Sequence, residues 1–141
     1  MCSRFALCGL LGAAIACGGS PTAPSPVLSS FQVSGGTSFG SPPAPPSVQV
    51  SPGRVAITAE TNTPTPCYTL AGDFTAASRE LRLHVDARPS EVGGCVLVLG
   101  RFSYNAVIML PAGNYTLVVV HAFPGTGWPA TEVLRQTVTV N

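Results

Sequence analysis

The chain contains no lysine. All of its side-chain positive charge rests on seven arginines, set against six acidic residues, and charged residues make up only 9% of the 141. So sparse and balanced a charge supplies no basic stripe to follow a phosphate backbone, and nucleic acid is excluded as an expected partner. The acidic residues are scattered, so no calcium loop is expected. Neither CxxC nor HxxxH spacing occurs, and a structural zinc site wants four ligands. A G-x-S-x-G nucleophile elbow is missing, as is a glycine loop of the phosphate-cradling kind. Gly93-Gly94 and Gly125-Thr126-Gly127 read as turns. No window of helical period appears after Ala16. No cofactor is implied.

What is present begins at the N-terminus. Arg4 precedes an uncharged apolar run, Phe5 to Ala16. That run is too short for a helix to cross the ~30 Å hydrocarbon core, which takes about 20 residues. It has the length of a signal-peptide apolar region. Ala14 and Ala16 stand third and first before Cys17, and Gly18-Gly19-Ser20-Pro21 follows. These residues resemble the signal and lipobox of bacterial lipoproteins, with Ala14 where the motif usually carries Leu. The resemblance implies a signal peptide over 1–16 and acylation of Cys17 as the first mature residue. It also implies attachment to a cell membrane. If the cell has two membranes, Gly18 favours the outer one, because the Asp that retains such proteins at the inner membrane is absent. Ala14-Ile15-Ala16 is equally an A-x-A site for ordinary signal peptidase, which would cut at the same place and release a soluble secreted chain.

On the lipoprotein reading, Cys2 and Cys8 leave with the signal and Cys17 carries lipid. Cys67 and Cys95 then remain in a compartment that permits disulfides, and a Cys67–Cys95 bridge is expected. Two free buried thiols are the alternative.

Residues 17–46 read as a lipidated N-terminus and a Pro/Gly/Ser-rich linker. No charge occurs between Gly18 and Gly53. Such a stretch buries too little apolar area to offset the entropy of ordering it, and Ser41-Pro42-Pro43-Ala44-Pro45-Pro46 reads as stiff polyproline II. Val27–Val33 interrupts the pattern. It is apolar enough either to form a short strand on the domain edge or to be a sticky patch within the linker.

From 47 to 141 the apolar period is two. Leu81, Leu83, Val85 and Ala87 share one face, while Arg82, His84, Asp86 and Arg88 share the other, the mark of a half-buried strand. Val55 and Ile57 follow the Pro52-Gly53 turn. Tyr68, Leu70, Gly72 and Phe74 alternate, as do Phe102, Tyr104, Ala106, Ile108 and Leu110. Tyr115, Leu117, Val119, His121 and Phe123 form a further row. Cys95-Val96-Leu97-Val98-Leu99 is continuous, as a strand buried on both faces would be. Seven or eight short strands with turns about every ten residues predict an all-β fold, a small antiparallel β-sandwich. Leu110-Pro111-Ala112-Gly113-Asn114-Tyr115 resembles the E–F corner of immunoglobulin-like and fibronectin-like domains. The resemblance implies that the Tyr115 hydroxyl bonds back to the upstream backbone. Leu117 stands where the second immunoglobulin cysteine would be, so only the architecture carries over. A transthyretin-like sandwich shows a similar corner.

Candidate chemistry is thin. His84 and Asp86 share a wet strand face within reach of a general-base pair, or are simply solvated there. His121 falls on the inward register and reads as a satisfied core histidine. Trp128, the only tryptophan, lies in the loop Pro124–Pro129. It either caps the core or stacks on sugar with Tyr104 or Phe123. The leading expectation is a non-catalytic protein, lipid-anchored in the cell envelope, whose partner is an envelope protein or cell-wall glycan. A carbohydrate-binding module centred on Trp128 is the alternative, and a small hydrolase using His84 and Asp86 is a remote one.

Overall fold

The computed structural model describes residues 24–37, 41–90 and 93–141; the signal segment and Cys17 lie outside them. Eight strands follow in order: β1 (Val27–Thr37), β2 (Ser47–Ser51), β3 (Arg54–Thr63), β4 (Tyr68–Ala77), β5 (Glu80–Pro89), β6 (Gly100–Met109), β7 (Gly113–Ala122) and β8 (Thr131–Val140). They form two four-stranded sheets, β1-β6-β3-β2 and β4-β5-β7-β8, and together make a small β-sandwich. The expected antiparallel arrangement holds with one exception. β5 and β7 run parallel, because the chain crosses to the other sheet for β6 before returning as β7.

The inner faces follow the period-two rows read from sequence. Val55, Ile57 and Ala59 of β3 lie buried against Leu81, Leu83 and Val85 of β5, Tyr104, Ala106 and Ile108 of β6, and Leu117 and Val119 of β7. Each of the Val, Leu and Ile side chains among them contributes roughly 1.5–3 kcal/mol when fully buried. β7 is buried on both faces. Its outward Val118 lies in register between Arg82 and Arg135, and an Arg135–Glu80 ion pair at 3.4 Å reaches across it from β8 to β5.

Val27–Thr37 is a strand, so the sandwich begins well before residue 47. β1 pairs along its length with β6, and a bulge between Leu28 and Ser30 interrupts the register. Leu28 and Phe31 are three apart and would point to opposite faces of a regular strand. The extra residue turns both toward the core, where both pack. Phe31 then stacks on Tyr104 at 5.3 Å between ring centroids and lies over Gly72 of β4. A Cβ at Gly72 would stand 2.5 Å from the Phe31 ring.

The Pro-rich segment 41–46 is likewise no free spacer. β1 and β2 occupy opposite edges of one sheet, so their connection must traverse it. It is held above the sheet's outer face by Ala44, whose N–H donates to Glu60 Oε2 at 2.9 Å, and by Ser41, which accepts from the Arg101 guanidinium.

The register defines two ends. Thr37, Thr63 and Gly100 meet at one end of the first sheet; Tyr68, Pro89 and Ala122 lie at the same end of the second. This loop end carries the disulfide Cys67–Cys95, with Cα atoms 5.9 Å apart. The bond joins the β3–β4 crossover to the β5–β6 crossover, two of the places where the chain changes sheets. The opposite, corner end holds the Pro52-Gly53 turn, with Gly53 at φ 71° as the third residue of such a turn requires. It also holds the Leu110–Ala112 crossover and the point where Pro24 enters. There the Tyr115 hydroxyl donates to the Pro111 carbonyl at 3.1 Å, the bond that the E–F corner implies.

Cys95–Leu99 departs from expectation. It is a loop rather than a doubly buried strand, and Val96 to Leu99 are exposed. A continuous apolar run has no face preference, and this one pairs with none of the described strands.

Two changes probe this packing. Replacing both Cys67 and Cys95 by Ser is expected to cost about 3.6 kcal/mol, from the chain-entropy value of a 29-residue loop, read as a lower urea midpoint with the unfolding slope rising as the denatured chain expands. Gly72→Ala is expected to cost about 1–3 kcal/mol by forcing Phe31 off Tyr104. A Gly72→Ala midpoint equal to that of the unaltered chain would show that Phe31 does not need the space.

Candidate functional site

Three places gather functional side chains. The first is the outer face of β5. His84 Nδ1 and Asp86 Oδ1 stand 3.8 Å apart, too far for a hydrogen bond. Asp86 is engaged instead by Arg88 at 2.9 Å. In register His84 is flanked by Asp73 and Val120, and Asp86 by Ala71 and Ala122. None of these supplies a hydroxyl or thiol. The alternation that aligned the two residues is real, but the residues directly opposite them bring no nucleophile.

The second is inside the core. Tyr104 Oη and His121 Nε2 are 2.8 Å apart, both buried, and the rings meet edge to face at 5.6 Å. The bond joins β6 of one sheet to β7 of the other. Burial pushes the tyrosine hydroxyl well above its usual range and holds the imidazole down at about 4. Both groups are therefore neutral at pH 7, one donating and the other accepting. His121 is the satisfied core histidine that its register suggested. Tyr104, being buried, cannot join an exposed sugar platform.

The third is the pair of surfaces left open. At the loop end, Trp128 is half-exposed and meets Phe123 edge on, with centroids 5.1 Å apart and planes 66° from parallel. The two rings do not form a flat platform. Thr126 Oγ1 ties the loop by donating to the Phe123 carbonyl and accepting from the Trp128 N–H. Across the outer face of the first sheet runs an open groove of about 500 Å³, lined by Gln32, Ser34, Thr58, Ser103 and Asn105 among others. Asn105 Nδ2 donates to Thr58 Oγ1 at 3.0 Å.

The chain matches no protein-family model, no curated protein and no solved structure. Its surfaces must therefore be judged on their chemistry. The groove was not singled out from sequence. Its residues come from three strands that are not consecutive in the chain, and the only local signal is that β1, β3 and β6 carry Ser, Thr, Asn and Gln at outward positions. Those side chains donate and accept without charge, so the groove suits an uncharged, hydrogen-bonding ligand.

The inter-sheet bond generates a pH dependence. The unfolded imidazole takes a proton below about 6.5, whereas the folded one resists until about 4, so the unfolded state binds more protons between these values. Stability is therefore undiminished by this group above pH 6.5, falls as the pH drops from 6.5 to 4, and loses nothing more from it below. The total is on the order of 3 kcal/mol. Glu80 and Glu132, which Arg82 and Arg135 hold below the usual carboxylate range, lose their contribution only at lower pH. Urea midpoints measured across this window are expected to decline in the unaltered chain and to stay nearly flat in Tyr104→Phe/His121→Leu, which removes both partners together.

Proposed function

We propose that this protein is a non-catalytic, lipid-anchored component of a bacterial cell envelope, attached through Cys17, whose sandwich presents a binding or structural surface. The observation that carries the reading is the cysteine distribution. The lipobox-like segment ending at Cys17 accounts for three of the five cysteines, and the remaining two are bonded to one another. A disulfide fits an oxidising compartment outside the cytosol. Seven residues, 17–23, precede Pro24 at the corner end, a short leash between a bilayer and the first strand. Its partners on this reading are the membrane, through the acyl chains, and an envelope protein or cell-wall glycan.

A second reading, glycan binding, is favoured by the neutral polar groove on the first sheet rather than by Trp128. Sugars present dense uncharged donors and acceptors that Gln32, Ser103 and Asn105 match in kind. The Trp128–Phe123 pair lacks the parallel rings that stacking on a pyranose face uses.

Mass spectrometry of the protein purified from membranes of its own cell tests the anchor. The expected product begins at Cys17, carries two or three acyl chains, and is two hydrogen atoms lighter than the fully reduced form. A chain that begins at Cys17 without lipid would make it a soluble secreted protein. One that retains Met1 would overturn export altogether.

A further inference from the structure

Four consecutive apolar side chains stand exposed at the loop end: Val96 at 55%, Leu97 at 93%, Val98 at 38% and Leu99 at 41%. Exposing such a run is unfavourable, and soluble domains seldom do it without use. Fraying does not account for it. On one side the run is stapled by the Cys67–Cys95 bond. On the other it enters β6 at the buried Gly100, where a Cβ would collide with Thr63 and the backbone of Thr65 and Pro66. The loop is thus displayed by its own anchors.

Its surroundings are equally selective. The described loop segments at this end, 41–46, 64–67, 93–99 and 123–130, contain no charged residue; Glu91 lies outside the described residues. Trp128 sits at this end at 40% exposure, with Phe123 bracing its edge. Exposure peaks at Leu97 and falls at the neighbours on each side, as at the tip of a loop. A protein partner would have to supply a fitted pocket for such a tip. A fluid bilayer accepts it without one, and an indole ring is favoured at the headgroup boundary.

We propose that the loop end is a lipid-contacting surface, with Leu97 and its neighbours entering the interfacial region of a bilayer and Trp128 at headgroup depth. The inference stands independently of acylation at Cys17. If both hold, the acyl chains supply the firm attachment and the loop end adds a reversible contact that orients the sandwich. The geometry also limits how they combine. Residues 17–23 reach roughly 25 Å at full extension, and a ten-residue strand is about 33 Å long. Since the leash joins the corner end, the loop end meets the same bilayer only when the sandwich leans over onto it.

The test uses residues 18–141, which hold all eight described strands and the disulfide and carry no acylation site, mixed with vesicles of phosphatidylcholine alone or with phosphatidylglycerol. Trp128 is the sole tryptophan, so its fluorescence reports this end. The expected result is a blue-shifted emission, quenched by brominated acyl chains, in both vesicle types and little changed by salt. Leu97→Asp should lower partitioning at least about tenfold, with thermal unfolding unchanged because Leu97 packs on nothing it would disturb. Three results would overturn the proposal. They are an unshifted emission with both vesicles, partitioning of Leu97→Asp equal to that of the parent, and a solution dimer that Leu97→Asp abolishes without any vesicle binding. The last would assign the loop to a protein interface. None of these readouts depends on lipid at Cys17, so failure of the anchor and failure of this surface are separately visible.

Discussion

Two apolar sheet faces must cover one another, and the rest of the molecule is arranged around that requirement. Neither face survives in water alone. The chain satisfies both by changing sheets at β3–β4, β5–β6 and β6–β7, so no sheet can form its core without the other. The repeated crossing also produces the parallel β5–β7 pair. Among the described residues, one side-chain hydrogen bond joins the two sheets through this largely apolar seam, Tyr104 to His121. A buried hydroxyl or imidazole without a partner costs more than the bond returns, so the pair constrains how the sheets align. A slip of one sheet along the other would strand both groups.

The two ends of the sandwich have different characters. Tight turns, the tyrosine corner and the entry of the chain occupy one end. Crossover loops, the disulfide and the exposed apolar run occupy the other. The charged residues sit mainly on the outer strand faces, in pairs such as Arg82–Glu80 and Arg88–Asp86, where solvent screens them and each pair contributes little. The strand faces carry the charge, and the described loops at the loop end carry none. The Pro-rich segment 41–46 crosses the outer face of the first sheet, tied there at Ser41 and Ala44.

Where alternation was clean, as in β3, β5 and β6, the inner face could be read residue by residue, since a period of two leaves no choice of side. β1 was ambiguous for a specific reason: Leu28 and Phe31 share the core only because a bulge absorbs one residue, and a bulge has no sequence signature at Ser29-Ser30. Cys95–Leu99 misled for the opposite reason. Its composition matches a doubly buried strand, but burial on two faces needs neighbours on two faces, and those are supplied by other segments. The groove went unseen because its lining comes from three strands that only the sheet places side by side.

The sequence by itself determined the all-β class and the inward rows of β3, β5 and β6, because each rests on local spacing; the tyrosine corner and the Cys67–Cys95 pair were reached through resemblances to known families. Only the tertiary structure decided that the sandwich starts at β1, that β5 and β7 run parallel, that Tyr104 meets His121, and that Val96–Leu99 faces outward. These depend on which distant segments are adjacent. Adjacency is set by how the two sheets bury each other, a property of the whole chain that no single stretch of it contains.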